Sequence, residues 1–493
     1  MSAETPAEGM GAAALGAVSP AVRGWAINPR LPAFWLVAGL LGFGAWRVGG
    51  MIHRAISFYP LPALAALLLF ALYAIPFVLV VRSLDYLEEE PPVLLAVAFG
   101  WGGLVATSFA IPANAAVRNI VANLTSPGFA DSWGPAISAP PVEETLKLLG
   151  VIAIALLARQ QINSTLDGFV YGALVGLGFQ VVEDFVYAVN AVAQADHAGH
   201  DDWVSPLVGT FLARGFLGGL WSHTMFTALA GAGVGYALTH LQRRWIRRIG
   251  FAVLASAGAW AFHFVWDSPL LLEGFGFGLG GVLTVVVLKG LPGLVVVLLL
   301  VRAALHHEAA FYSKLLLRVS DHRLITEDEV AVLVKGRNRL AARRYARSRR
   351  GVRAAAAMRR LQRAQARYAV ELSRHAHGRA EAAGSRRTTA LKKREYDVSQ
   401  ARQRLRDLGI ERVSLPELAP HTWTGLLSIG LGLLGVVVPA VALPAIGLAL
   451  AGLWRARRRR AVPDSWYVDG LMVSGIGLTL WMVSYVLFDA GSR

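Results

Sequence analysis

Eight apolar stretches long enough to cross a lipid bilayer run through the first 305 residues, and no soluble core buries so much continuous apolar chain. They fall at roughly 33–50, 60–82, 92–112, 137–158, 165–190, 208–238, 249–268 and 279–303. Mean hydropathy is +0.49 over 493 residues, of which 55% are hydrophobic, so the spans set the character of the whole chain. The expected fold is all-α: a polytopic transmembrane helical bundle of about eight core spans. A tight apolar pair follows at about 423–454, with Pro439 and Pro444 at its turn, and a last span at about 467–488. The pair is short for two full crossings and reads equally as a re-entrant hairpin. Residues 1–30, rich in Ala, Gly and Pro, are expected to form a disordered tail without a cleavable signal. Cys is absent, which excludes disulfides, cysteine metal sites and a cysteine nucleophile.

The charge is concentrated. Residues 306–420 hold 27 Lys and Arg against 12 Asp and Glu, which is +15 of the chain's +16. The loop LQRRWIRRIG and the run RARRRR at 455–460 are also basic. Positive loops stay in the cytoplasm, so the N-terminus and the 306–420 segment are expected there. The loops QADHAGHDDW and around Glu273 carry no Lys or Arg and belong outside. Within 306–420, Met358, Leu361, Gln365, Tyr368, Leu372 and His375 fit one heptad seam, and Leu391, Val398, Leu405 and Leu408 another. A basic antiparallel helical hairpin is expected, with GRAEAAGSRR as its loop. Its charge suits solvation or attraction to anionic lipid headgroups. No groove-reading motif points to nucleic acid. The chain thus divides into a tail (1–30), a membrane core (31–305), the basic segment (306–420) and a C-terminal membrane hairpin plus final span (421–493).

Ionisable side chains inside a bilayer cost ~2.5–3.5 kcal/mol each on insertion scales and are rare without a function. Four consecutive spans carry them. PVEETLK brings Glu143, Glu144 and Lys147 into the fourth, where Lys147 shares a helix face with Glu143 at i,i+4 and Glu144 at i,i+3. One lysine neutralises one carboxylate, so the second needs another partner or a proton. In the fifth span Gly168, Gly172 and Gly176 form a small-residue face for close helix approach, and Glu183 continues on about that face toward the bundle interior, beside Asp184. His223 lies deep in the sixth span. The seventh ends in HFVWD, where Asp267 sits one turn from His263 and can fix its tautomer. Alternating span directions bring all these groups to similar depth in the half facing away from the cytoplasm. Such a set can activate water, with a glutamate taking the proton and the imidazoles stabilising an oxyanion or holding a metal. HExxH, GxSxG and paired intramembrane aspartates are absent.

In order, EETLK, FQVVED, HTMFT and HFVWD resemble the motifs EExxK, FxxxE, a transmembrane His and HxxxD/N of the PrsW family of intramembrane proteases, distant relatives of the CAAX prenyl endopeptidases. The likeness covers roughly residues 60–305 and falls on Glu143, Glu144, Lys147, Phe179, Glu183, His223, His263 and Asp267. Asp184 stands where the family commonly has Asn. The resemblance implies an intramembrane endopeptidase of a bacterial-type cell membrane that cuts a membrane-anchored protein near the outer face in regulated proteolysis. It implies a base at Glu144 or Glu143, with Glu144 preferred because Glu143 has the better lysine geometry. Glu183, His223 and His263 complete the site as metal ligands or as oxyanion and proton-transfer groups, Asp267 orients His263, and Lys147 balances charge. Two histidines with carboxylates suit Zn2+, while the CAAX relatives are described as glutamate-dependent without a metal. The substrate itself and the oligomeric state are not encoded.

Two other readings use the same residues. A proton-coupled transporter or channel would line a path through the membrane and show internal repeats or paired broken helices. A scaffold would use the basic hairpin alone. The protease reading requires Glu144, Glu183, His223 and His263 to meet within ~10 Å, because catalytic groups act on one bond.

Overall fold

A computed structural model of the chain describes residues 29–84, 86–87, 89–271, 279–319, 321–376, 384–411, 423–437, 439–458, 467, 470–475 and 478. The expected tail up to residue 28, the loop around Glu273, much of the GRAEAAGSRR loop and nearly all of the last span lie outside the described residues. Among the described residues the structure is helical, without a strand. The chain folds as two compact units, one of Met1–Leu270 with Leu288–Phe311 and Ala376–Gly378, the other of Leu271–Val287, Tyr312–His375 and Arg379–Arg493.

In the first unit α1 (Pro32–Phe58) and α2 (Pro60–Leu84) are followed by α3 (Pro92–Leu124), α4 (Pro127–Leu157) and α5 (Thr165–His197). Among the described residues six helices are long and apolar enough to cross a membrane, and the molecule is an integral membrane protein. α5 is the centre and is largely buried, whereas α1 is mostly exposed. Ser164 starts it with a capping box, its hydroxyl accepting from the Asp167 amide while Asp167 accepts from the Ser164 amide. α3 tightens into a π-helical turn over Trp101–Ala106, whose Gly102 meets the Val175 carbonyl of α5. Trp101 donates its indole N–H to the Leu146 carbonyl of α4 at 3.0 Å. α3 and α4 are both longer than the expected spans, because Pro112 in α3 and Pro135, Pro140 and Pro141 in α4 are absorbed within the helices. Apolar surroundings leave the backbone no better partner than its own ladder.

The expected sixth span is not one helix. α6 (Val204–Thr210) passes into a π-helical turn at Phe211–Gly218 and a 3-10 turn at Gly219–Trp221. The chain breaks at Ser222, where φ is −110° and ψ −143°, and resumes as α7 (His223–Thr239). His223 is therefore the first residue of a helix, not the middle of one. α8 (Trp245–Asp267) and α9 (Leu279–Leu316) follow. The glycine face works as its spacing predicts. Added β-carbons at Gly168, Gly172 and Gly176 would lie 2.3, 2.3 and 2.2 Å from the carbonyls of Gly231, Thr227 and His223, so α5 and α7 touch backbone to backbone.

The second unit holds α10 (Glu327–Leu333), α11 (Gly336–Ala376) and α12 (Gly384–Asp407). α11 is interrupted at Arg350 and Gly351, the latter with a left-handed φ of 77°. Met358, Leu361, Gln365 and Tyr368 of the first seam are buried, as are Val398 and Leu405 of the second. Around them Arg402 grips Glu329 with two bonds of 2.7 and 2.6 Å, and Gln365 donates to the same carboxylate at 2.9 Å. Farther on, α13 (Trp423–Val437) and α14 (Pro439–Arg458) pair, the Ser428 hydroxyl reaching the Ala445 carbonyl at 3.1 Å.

Candidate active site

The residues predicted from the four motifs converge in the first unit. α4 supplies Glu143, Glu144 and Lys147, all buried. The Lys147 ammonium donates to Glu144 Oε1 at 2.8 Å, to Glu143 Oε2 at 3.1 Å and to His223 Nδ1 at 2.8 Å, and lies 3.8 Å from the centre of the Phe179 ring. Lysine thus bonds both glutamates, and the nearer is Glu144. The ground for preferring Glu144 as the base, a better lysine geometry at Glu143, is removed.

Each histidine is held from behind by a carboxylate. His223 accepts from Lys147 at Nδ1, so its proton sits on Nε2, which donates to Glu183 at 2.8 Å. His263 faces Glu144 through Nδ1 at 3.1 Å and Asp267 through Nε2 at 3.2 Å. The two rings are 5.0 Å apart, and Phe226 stacks on His263 at 5.0 Å. The close approach of Gly176 to the His223 carbonyl sets the position of this histidine, since any side chain there would push α7 away.

Several partners carry no sequence motif. Thr227 donates to Glu144 Oε2 at 2.9 Å, one turn after His223. Asn114 of α3 donates to Glu143 Oε1 at 2.8 Å. Arg214, on the π-helical turn, bonds Glu183 Oε2 at 2.5 Å and Asp184 Oδ1 at 2.6 Å and lies 3.8 Å over the Tyr187 ring. A carboxylate pair with no visible cation was the signal that could have led to Arg214.

A cleft of about 210 Å³ opens on this centre, lined by Asn114, Ser138, Glu143, Glu183, Arg214 and Asp267 among others. Glu143 lines it, whereas Glu144 sits behind; both oxygens of each accept a hydrogen bond. Asn114 Oδ1, Ser138 Oγ and Asp184 Oδ2 have no hydrogen-bond partner among the described residues.

The donors fit a metal ion. One ligand atom from each of Glu143, Glu144, His223 and His263 lies within 4.8 Å of the others, all buried. Glu183 stands outside that group, bonded to His223 and Arg214. Five carboxylates, Glu143, Glu144, Glu183, Asp184 and Asp267, face the two fixed cations Lys147 and Arg214. Buried charge of one sign calls for a counter-ion.

Residues 90–300 match the family model described as PrsW family intramembrane metalloprotease. No curated protein and no solved structure matches the chain. The matched segment contains every motif residue from Glu143 to Asp267, and the chain is a membrane-embedded peptidase with a protein substrate. The helices that build the cleft and its Glu/His centre thus form the segment in which this chain is similar to the PrsW family of intramembrane metalloproteases.

Proposed function

We propose that the chain cuts a membrane-anchored protein near the non-cytoplasmic face, as a step of regulated proteolysis. The observation that carries this is Glu143, which opens on the cleft while its other bonds tie it to the buried network. Glu143 takes a proton from a water in the cleft, and the water oxygen forms the new bond to the substrate carbonyl carbon. Glu143 then returns the proton to the amide nitrogen as the C–N bond breaks. Glu144, His223 and His263 are the proposed ligands, a His₂Glu set that suits Zn2+. When bound, zinc would polarise the carbonyl and make water a stronger nucleophile. Glu183 and Asp267 hold the Nε2 side of the two rings, which turns both Nδ1 atoms to the centre. Arg214 fixes Glu183 and offsets Asp184.

A transmembrane substrate must unwind to be cut, and its freed N–H and C=O groups need partners. Asn114 Oδ1 can accept from such an N–H, and Ser138 can donate to such a carbonyl. Recognition by main chain makes substrate choice depend on how readily a segment unwinds. The orientation follows the arginine-rich loops, and the basic hairpin is proposed to face the cytoplasm and anionic lipid. The break at Ser222 is a feature that transporters share. It is unpaired among the described helices, and the polar groups gather at one point instead of lining a path.

The test compares wild type with Glu144→Gln and His263→Ala in membranes of a deletion host. Proteomics of shortened single-span proteins and the zinc content of each purified protein are read together. The proposal expects the same uncut protein in both variants and about one zinc per wild-type chain, lost in His263→Ala. An unchanged membrane proteome under every condition, with no metal retained by wild type, would sink it.

A further inference from the structure

A second groove lies between α1 and α3, with no residue in common with the catalytic cleft. It measures about 370 Å³ and is lined by Trp46, Arg47, Met51 and Arg54 of α1 and by Ser108 and Ile111 of α3. Arg47 and Arg54 are seven residues apart, two turns on one face of the helix. No carboxylate lines the groove, and neither arginine has an ion pair among the described residues. An unpaired guanidinium on a membrane helix is costly, and two facing one groove call for an anion.

Depth says which anion. At ~1.5 Å per residue, Arg47 is about 22 Å and Arg54 about 33 Å from the Pro32 end of α1. A hydrocarbon core of ~30 Å puts Arg54 at headgroup level, with Arg47 able to extend toward it. Trp46, about 21 Å from the same end and level with Arg47, is 71% exposed beside it. Below it, Phe43 and Phe109 stack at 5.6 Å across α1 and α3 and face outward, an apolar wall suited to an acyl chain. The groove is level with the catalytic centre, because Asn114, one turn past Ile111 on α3, bonds Glu143.

We propose that this groove binds the phosphate of an anionic phospholipid in the leaflet level with the active site, Arg47 and Arg54 holding the phosphate oxygens and the acyl chain lying along Phe43 and Phe109. The site is independent of the protease chemistry.

The absence of cysteine makes the test local. Met51→Cys in the full chain places a single label in the groove. The labelled protein is reconstituted in phosphatidylcholine vesicles containing either spin-labelled phosphatidylglycerol or spin-labelled phosphatidylcholine. Quenching by phosphatidylglycerol should saturate at a lipid fraction at least about fivefold lower. Arg47→Gln with Arg54→Gln should abolish the preference, and the corresponding Lys pair should keep most of it. Arg359→Gln with Arg363→Gln, on exposed positions of the basic segment, should leave it unchanged. Equal quenching by both lipids in the otherwise wild-type labelled protein overturns the proposal, as does a preference that survives the Gln pair. Displacement by millimolar glycerol phosphate would show a soluble phosphate site and overturn the lipid assignment.

Discussion

The molecule buries two ionic networks, and they are built on opposite principles. In the second unit Glu329 and Arg402 are one charge against one, joined bidentately and sealed by Gln365. Only small debts remain, such as Arg402 Nε without a partner among the described residues. In the membrane unit carboxylates outnumber the fixed cations, two glutamates line a cleft, and three polar atoms along that cleft have no partner among the described residues. A balanced, closed pair holds helices together. An unbalanced, open one is held by its helices and reserves its bonds for something that arrives later.

The comparison breaks most visibly at Glu143. Glu143→Gln should lower kcat by about 10³-fold or more with little change in thermal stability, measured by cleavage of the protein identified in the proteomic comparison. Loss of folding instead would make the open network structural. At the closed pair the expectation inverts. Glu329→Ala strands Arg402 and should cost about 3–5 kcal/mol of stability in the second unit, read by hydrogen exchange of α11 and α12. Replacing both partners with apolar residues, Glu329→Leu with Arg402→Met, should recover most of that loss.

Two smaller effects sharpen the contrast. Gly176→Val forces a side chain into the His223 carbonyl and should cost about 1–3 kcal/mol, with a fall in kcat because the histidine moves. Ser138→Ala should raise KM about tenfold with kcat nearly unchanged, and Ser138→Thr should restore it, as expected for a donor to substrate main chain. A change in kcat alone would assign Ser138 to the chemistry.

How far the sequence reveals this site follows from what each residue type costs. Glu143, Glu144, Lys147, Glu183, His223, His263 and Asp267 stand out because ionisable groups are expensive in apolar spans. The glycine ladder is legible because its spacing matches one helix face. Asn114, Ser138 and Thr227 are invisible because such residues are cheap in membrane helices and occur with no role. Arg214 stands in a span whose helical periodicity hides the break at Ser222, where no proline marks the fold. The apolar pair after residue 423 is equally legible as a hairpin, whereas the interruption at Arg350–Gly351 lies ahead of Met358, where the heptad seam begins, and no pattern marks it. Glu329 and Arg402 meet from opposite ends of the basic segment, and no local pattern encodes such a pairing.

The backbone contact of α5 with α7 also decides which parts can move. Main chain pressed on main chain has no rotamers to rearrange, so α5 and α7 travel as one body, with Glu183 and His223 fixed on it. One of the cleft's other walls is the π-helical turn of Phe211–Gly218, which is joined to that body by the Ser222 break and by the grip of Arg214. A change in the cleft that keeps this body intact has to come from its other walls, and at the turn it would have to break the bonds of Arg214 to Glu183 and Asp184.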